Sequence, residues 1–198
     1  MQLVLGLPRP VLQQMLAALK NQLPVQFVLG GLAPDSDEPM APEMQQSIQA
    51  HWRRIADELG TEFNFAFWRE NQPRRATYPA CRAVIAARAQ DAEQAMIHAI
   101  QQAYYLRAMN PSDEDTLLQL ADEMGLDFDS FMQDLESAAT EQQLQQEVAL
   151  ARELFAKSGA RGFPSWVLIH DGKALAVPLD YHSAQTSLAA ISDILRSG

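Results

Sequence analysis

Cysteine is nearly absent, since the 198-residue chain contains Cys81 and no second cysteine. One cysteine cannot close a disulfide within the chain, and this usage is typical of a reducing compartment, so we expect a cytoplasmic protein. Residues 1–7 lack the basic start of a secretory signal, and we expect none. Apolar runs of membrane-spanning length are also missing, which excludes a membrane as the expected partner.

Basic side chains are scarce as well. The chain has 15 Lys and Arg against 25 Asp and Glu, a formal net charge of −10. Such a chain repels a phosphate backbone, which excludes nucleic acid as the main partner. The four histidines show no metal-ligand spacing, so we expect neither a metal nor a cofactor. They are His51, His98, His170 and His182.

Hydrophobic residues make up 47% of the chain, enough for a substantial core. Apolar residues at helical spacing predict a first helix over about 9–22, and "VQFVL" (25–29) predicts a short buried strand. A second helix is predicted over about 43–59. From residue 78 to residue 158 nearly everything reads as helical, with Asp91 and Ser112 as expected N-caps.

The carboxyl-terminal part has a different pattern. Two short apolar runs, 166–170 and 174–178, are joined by Asp171-Gly172, a strong hairpin signal. A last amphipathic helix is predicted over about 183–195. Without the helical block the order is α-β-ββ-α, which is a thioredoxin fold that lacks its first strand. We therefore predict an α/β, thioredoxin-like fold with an inserted helical domain, in three segments: 8–42, 43–158 and 159–198.

Three motifs carry a family resemblance: "GGLAPDSDEPM" (30–40), "TYPACRAV" (77–84) and "GFPS" (162–165). With them the chain resembles the DsbA-like thiol-disulfide oxidoreductases, in their cytoplasmic bacterial branch. The resemblance implies a cis peptide bond before Pro164 and makes Phe163 and Pro164 the expected substrate-binding residues, where an extended peptide can pair with the backbone. The residues alone leave open a plain trans proline at the start of a strand. The implied partner is a thiol- or disulfide-bearing protein or peptide, with glutathione as a further candidate.

The family places a Cys-x-x-Cys pair at the start of its first helix, but "MQLVLGLPRP" (1–10) has no cysteine there. We therefore assign no catalytic residue and expect the chain as given to be inactive in disulfide exchange. Read in a shifted frame, one coding of the family's Cys-Ser-Trp-Cys-Trp-Gly-Phe gives Met-Gln-Leu-Val-Leu-Gly-Leu. These are residues 1–7 of this chain, so our hypothesis is an N-terminally truncated or frameshifted member.

Two other functions stay open at this point. One is a relative of the kappa-type glutathione transferases and isomerases, and the other is a non-catalytic, peptide-binding thioredoxin-like module. Cys81 is either a small buried hydrophobe or a low-pKa nucleophile beside Arg82. Four arginines could hold an anion or glutathione, or simply lie in solvated loops: Arg69, Arg74, Arg75 and Arg82. Five aromatic residues could seal the inserted helices to the core or floor a groove: Trp52, Phe63, Phe65, Phe67 and Trp68.

Overall fold

The computed structural model describes residues 9–196. Contacts divide them into two units, one of residues 31–145 and one of residues 9–30 with 146–196. The predictions about residues 1–8, which are the missing signal and the frameshift, lie outside the described residues. The same holds for the start of the predicted segment 8–42. The predicted domain boundaries stay a prediction.

The first unit is built of helices. They are α2 (Pro42–Leu59), α3 (Phe67–Glu70), α4 (Tyr78–Arg88), α5 (Glu93–Tyr105), α6 (Glu114–Glu123) and α7 (Phe128–Leu135). Helix α8 (Ala138–Ser158) begins in this unit and ends in the other. No strand lies between residues 78 and 158, as the sequence predicts. Helix α4 forms the centre of the core of this unit, because its apolar residues are buried on nearly all sides and it contacts α5, α6 and α7.

The second unit contains α1 (Arg9–Leu19), the end of α8, strands β1 (Trp166–His170) and β2 (Lys173–Val177), and α9 (Gln185–Arg196). Its core is an apolar cluster to which α1, β2 and α9 contribute Val11, Met15, Leu19, Val177 and Ile191. Val25, Trp166 and Leu168 pack against this cluster from the outside.

The predicted hairpin is confirmed. Strands β1 and β2 pair antiparallel in a two-stranded sheet, with His170 opposite Lys173. Asp171 and Gly172 both have positive φ, 49° and 71°, as a two-residue primed turn requires. Because the turn contains only these two residues, β2 begins at Lys173, one residue earlier than predicted.

The predicted strand over 25–29 is wrong, because these residues belong to no strand of the structure. A strand exists only where its backbone pairs with a neighbour, and the described sheet ends at β1 and β2. Leu29 donates its backbone N–H to a carboxylate oxygen of Glu147 instead, at 2.8 Å. Val25 packs against the core of this unit, but an apolar composition alone does not make a strand.

Three predicted helix ends are also wrong. Helix α1 ends at Leu19, not near residue 22. Asp91 does not cap α5; it has φ of 57°, and the N-cap is Ala92. Ser112 does not cap α6 either, since Asp113 holds that position while the Ser112 hydroxyl donates to the Ala76 carbonyl.

Candidate functional site: the Phe163–Pro164 loop

The loop between α8 and β1 contains the two residues that the sequence singles out for substrate binding. Helix α8 ends at Ser158, and Gly159 follows with φ of 75° and its N–H on the Phe155 carbonyl, a common way to stop a helix. The Phe163–Pro164 peptide bond is cis. The Ser165 hydroxyl then donates to the Gly162 carbonyl at 2.7 Å, closing the loop just before β1.

Two contacts hold the ring of Phe163. It packs against Phe155 of α8, with ring centroids 4.8 Å apart. It also lies against Gly30, so closely that a Cβ at that position would be 1.9 Å from the Cζ of Phe163. Only glycine leaves room for the ring. The glycine in the "GGLAPDSDEPM" motif and the phenylalanine in "GFPS" are therefore the two halves of one contact.

Glu147 supports the chain that leads into Gly30. It is a buried carboxylate on α8, with 7% of its surface exposed, and it accepts the Leu29 N–H. A buried backbone N–H without an acceptor is costly, so this hydrogen bond holds residue 29 in place directly before the glycine. Sequence reasoning missed Glu147, because nothing in "LQQEVAL" distinguishes it from the exposed glutamates around it.

The loop leads directly into strand β1, whose backbone groups can pair with an extended peptide. Strand β1 pairs with β2 along one edge, and within residues 9–196 no other strand lies on its second edge. Ile169 is 66% exposed on this strand. An open strand edge offers backbone donors and acceptors in the spacing that an extended peptide needs. Phe163 and Pro164 stand at the beginning of that edge.

The other candidate residues lie in the first unit. Cys81 is on α4 and half-buried. Arg82 makes a bidentate ion pair with Asp35, at 2.7 and 2.9 Å, and a third contact with Glu141 at 3.1 Å. The hydrogen bonds that Arg82 donates to these carboxylates, the one to Asp35 first, raise the pKa of Arg82. Arg74 is paired with Asp113. The charges of these two arginines are therefore balanced by carboxylates of the chain. Of the four predicted anion-binding arginines, Arg69 and Arg75 remain as candidates.

The aromatic residues form one packed cluster within the first unit. Trp52 is its centre, stacked on Phe63 at 5.1 Å and edge-on to Tyr104 at 5.2 Å. Trp52 and Phe67 are 3% and 1% exposed, so they form a core and do not floor a groove. Burial raises the pKa of both Tyr104 and Tyr105.

Residues 9–196 contain no group of three or more His, Cys, Asp or Glu side chains that could hold a metal ion. Among the helices of this same range, none combines the length and the apolar composition needed to cross a membrane.

The second unit, with a helix, a β-hairpin, a closing helix and a proline loop directly before the hairpin, defines a domain of the thioredoxin type. A model of the DSBA-like thioredoxin domain family matches residues 10–186. The chain belongs to that family, and its fold is a DsbA-like thioredoxin fold, mostly helical with a small sheet, as the sequence predicts.

Solved structures agree with this assignment. A putative protein disulfide isomerase from Nitrosomonas europaea superposes with a TM-score of 0.78 at 22% identity, over 95% of this chain and 89% of that one. The cytosolic disulfide reductase DsbM from Pseudomonas aeruginosa gives a TM-score of 0.74 at 26% identity, over 95% and 91%. The same reductase solved with GSH gives 0.73 at 25% identity, over 94% and 91%.

One curated relative has a different role. The ClpXP adapter protein SpxH of Bacillus subtilis (strain 168) is 30% identical over 106 residues, which are 52% of this chain. The matched segment spans 36% of that adapter, so the likeness covers about a third of its length.

Proposed function

We propose that this chain is the substrate-binding scaffold of a DsbA-like thiol-disulfide oxidoreductase, and that in its present 198-residue form it is inactive in turnover. The observation that carries the proposal is the loop at Phe163 and Pro164, anchored on Gly30 directly before β1, whose second edge carries no strand within residues 9–196. The 26% identity to a disulfide reductase over 95% of the chain supports the same chemistry.

The proposed role of the loop is to hold an extended peptide. The peptide pairs through backbone hydrogen bonds with the chain at Phe163, beside Pro164 and directly before β1. This places a disulfide or thiol of the peptide where a family dithiol acts. Main-chain pairing supplies affinity that does not depend on the peptide sequence, which suits an enzyme that accepts many proteins.

The chemistry itself needs two sulfurs. A thiolate attacks one sulfur of the substrate disulfide, forming a mixed disulfide and releasing the other substrate sulfur as a thiolate. A second enzyme thiol then attacks the enzyme's own sulfur, closing an enzyme disulfide and releasing the reduced substrate. The two enzyme sulfurs end about 2 Å apart. Cys81 is the sole cysteine, so a mixed disulfide at Cys81 can be resolved only by a thiol from another molecule.

The test compares the chain as given with a version that carries an added strand and Cys-Ser-Trp-Cys ahead of Gly6. Reduction of a disulfide peptide is followed with an external thiol as the electron source. The matched control carries the same strand with Ser-Ser-Trp-Ser, which separates the sulfur chemistry from any gain in folding. We expect turnover in the Cys-Ser-Trp-Cys version alone.

Turnover by the 198-residue chain at the rate of the extended version would contradict the proposed inactivity. An extended version that folds, binds the peptide and does not reduce it would remove the oxidoreductase proposal and leave a peptide-binding module.

The likeness to a ClpXP adapter favours that module as a second candidate, because an adapter binds a protein without chemistry on it. In that case the Phe163–Pro164 loop would bind the peptide equally well with and without the added cysteines. A relative of the kappa-type glutathione transferases would instead show glutathione affinity in the 198-residue chain, which calorimetry measures directly.

Partners, location and domain limits follow the same proposal. A thiol- or disulfide-bearing protein or peptide is the proposed substrate, and the reductase structure with GSH supports glutathione as a thiol partner. A cytoplasmic location agrees with the cytosolic description of that reductase and with the single cysteine. We keep 8–42 and 159–198 as the proposed thioredoxin-like parts and 43–158 as the proposed helical insertion.

A further inference from the structure

A small pocket on the first unit is unconnected with the disulfide chemistry. It lies between the start of α4, the start of α6 and the end of α7, and has a volume of about 240 Å³. That is below the size of usual small-molecule sites, which begin at about 300 Å³, and suits a single side chain. Its lining residues are Pro79, Arg82, Ser112, Glu114, Leu117, Leu135 and Glu136.

The walls of the pocket have two kinds of surface. Pro79, Leu117 and Leu135 are apolar, while Glu114 and Glu136 are exposed carboxylates that make no ion pair within the described residues. The one cation in the wall is Arg82, and it is already held by Asp35 and Glu141. An apolar wall beneath unpaired carboxylates matches a lysine or arginine side chain, whose stem is apolar and whose head is charged.

The surface around the pocket has the same character. Residues 108–145 carry ten carboxylates and no Lys, Arg or His. Three arginines from outside this segment, Arg74, Arg82 and Arg107, are paired with Asp113, Glu141 and Glu123. Asp129 and Glu136 have no such partner within the described residues. A negative potential over this face therefore extends beyond the pocket itself.

Helix α7 adds an uncovered apolar strip beside the pocket. Phe131 and Leu135 are buried at 0% and 6% exposure, whereas Phe128 and Met132 are 39% and 40% exposed. At about 100° per residue, these four side chains occupy one continuous arc of about 100°, of which only half is covered. In the same projection Met132 lies between Leu135 and Glu136, so the strip and the pocket adjoin.

We propose that this face of α7, with the pocket at its end, binds a basic amphipathic segment of a partner protein. A lysine or arginine of that segment enters the pocket between Glu114 and Glu136, and apolar residues one or two turns away cover Met132 and Phe128. Charge decides the class of partner, because a second copy of this chain would bring a net charge of −10 to an already negative face.

The probe is a fluorescently labelled amphipathic peptide of leucines and lysines, and its binding is measured by anisotropy at low salt. The pocket variant is Glu114→Gln with Glu136→Gln. Its matched control is Glu58→Gln with Glu62→Gln, two exposed glutamates outside this face that change the net charge by the same amount. Met132→Ser tests the apolar strip separately.

We expect the pocket variant to weaken binding by about tenfold and the control by less than about twofold, since removing local partners costs more than reducing distant charge. Met132→Ser should weaken binding while leaving its salt dependence unchanged. Equal weakening by the pocket variant and the control would overturn the proposal, because the attraction would then come from net charge alone. Absence of binding by the lysine peptide, or equal binding of a peptide with glutamates in place of the lysines, would overturn it as well.

Discussion

Replacing Gly30 with alanine tests whether the contact with Phe163 holds the substrate loop. The added Cβ would lie 1.9, 2.2 and 2.6 Å from Cζ, Cε1 and Cε2 of the ring. Ordinary carbon contacts lie at about 3.5–4.0 Å, so the ring has to move by about 1.6 Å or more. Overpacking of this kind costs about 1–3 kcal/mol. Phe155 packs against the same ring, with centroids 4.8 Å apart, and limits the room into which the ring can move.

The decisive variant is the same substitution in a Phe163→Ala background. Gly30 does not have a positive φ, so alanine fits its backbone once the ring is gone. We expect Gly30→Ala to cost about 1–3 kcal/mol in the parent and close to nothing beside Phe163→Ala. Urea unfolding of the parent, both single variants and the double variant measures this difference.

Gly172→Ala is the control for this cycle. Its φ is 71° with no atom within 4 Å of a new Cβ, so its cost is backbone strain of about 1–2 kcal/mol. That cost should be the same with and without Phe163. If Gly30→Ala costs the same in both backgrounds, the ring does not lie against Gly30 and the account of the loop fails.

Three further predictions concern single contacts. Glu147→Leu should destabilise the chain by about 1–3 kcal/mol, because it leaves the Leu29 N–H without its acceptor, while Glu147→Gln keeps an acceptor and should cost less. Hydrogen bonds from Arg107 lower the pKa of Glu123 to about 2. The Glu123–Arg107 ion pair therefore stabilises the fold fully above the ordinary carboxyl pKa, and this stabilisation is lost as the pH falls through about 2. The melting temperatures of Glu123→Gln and the parent should therefore converge on acidification. Asp127→Ala should lower the melting temperature by removing the side-chain cap of α7.

Each of these predictions has a result that contradicts it. Equal stability of the leucine and glutamine variants at residue 147 would mean that the hydrogen bond to Leu29 contributes nothing. If the difference in melting temperature between Glu123→Gln and the parent grew toward low pH, the ion pair would not be the source of the stabilisation. For residue 127, Asp127→Asn retains a capping oxygen, so a loss as large as that of alanine would rule out capping as the cause.

The parts of the fold that depend on local sequence could be predicted. Asp171-Gly172 specifies a turn by its own backbone preferences, and the hairpin followed within one residue. Gly159 marks the end of α8 for the same reason. The predicted strand over 25–29 was wrong because a strand depends on a partner elsewhere in the chain. Neither that partner nor its absence can be read from these five residues alone.

The candidate site could also be predicted only in part. Phe163 and Pro164 could be singled out because "GFPS" is one of the motifs that resemble the DsbA-like family. The reason for Gly30 could not be found, because its contact joins residues 133 positions apart in the chain. The predicted N-caps at Asp91 and Ser112 were wrong because more than one residue at each helix start can accept the first N–H groups. Tertiary hydrogen bonds, such as that of Ser112 to Ala76, decide which residue takes this position.

The most direct test of the central claim is to trap the mixed disulfide at the Phe163–Pro164 loop. The extended chain is made with Cys-Ser-Trp-Ser, so that the attacking sulfur is present and the resolving one is not, and is mixed with a disulfide peptide. Mass spectrometry then identifies the cysteine that carries the peptide. We predict an adduct on the added cysteine, and a smaller yield when Phe163 is replaced by alanine. An adduct on Cys81 alone, or a yield that does not depend on Phe163, would contradict the account.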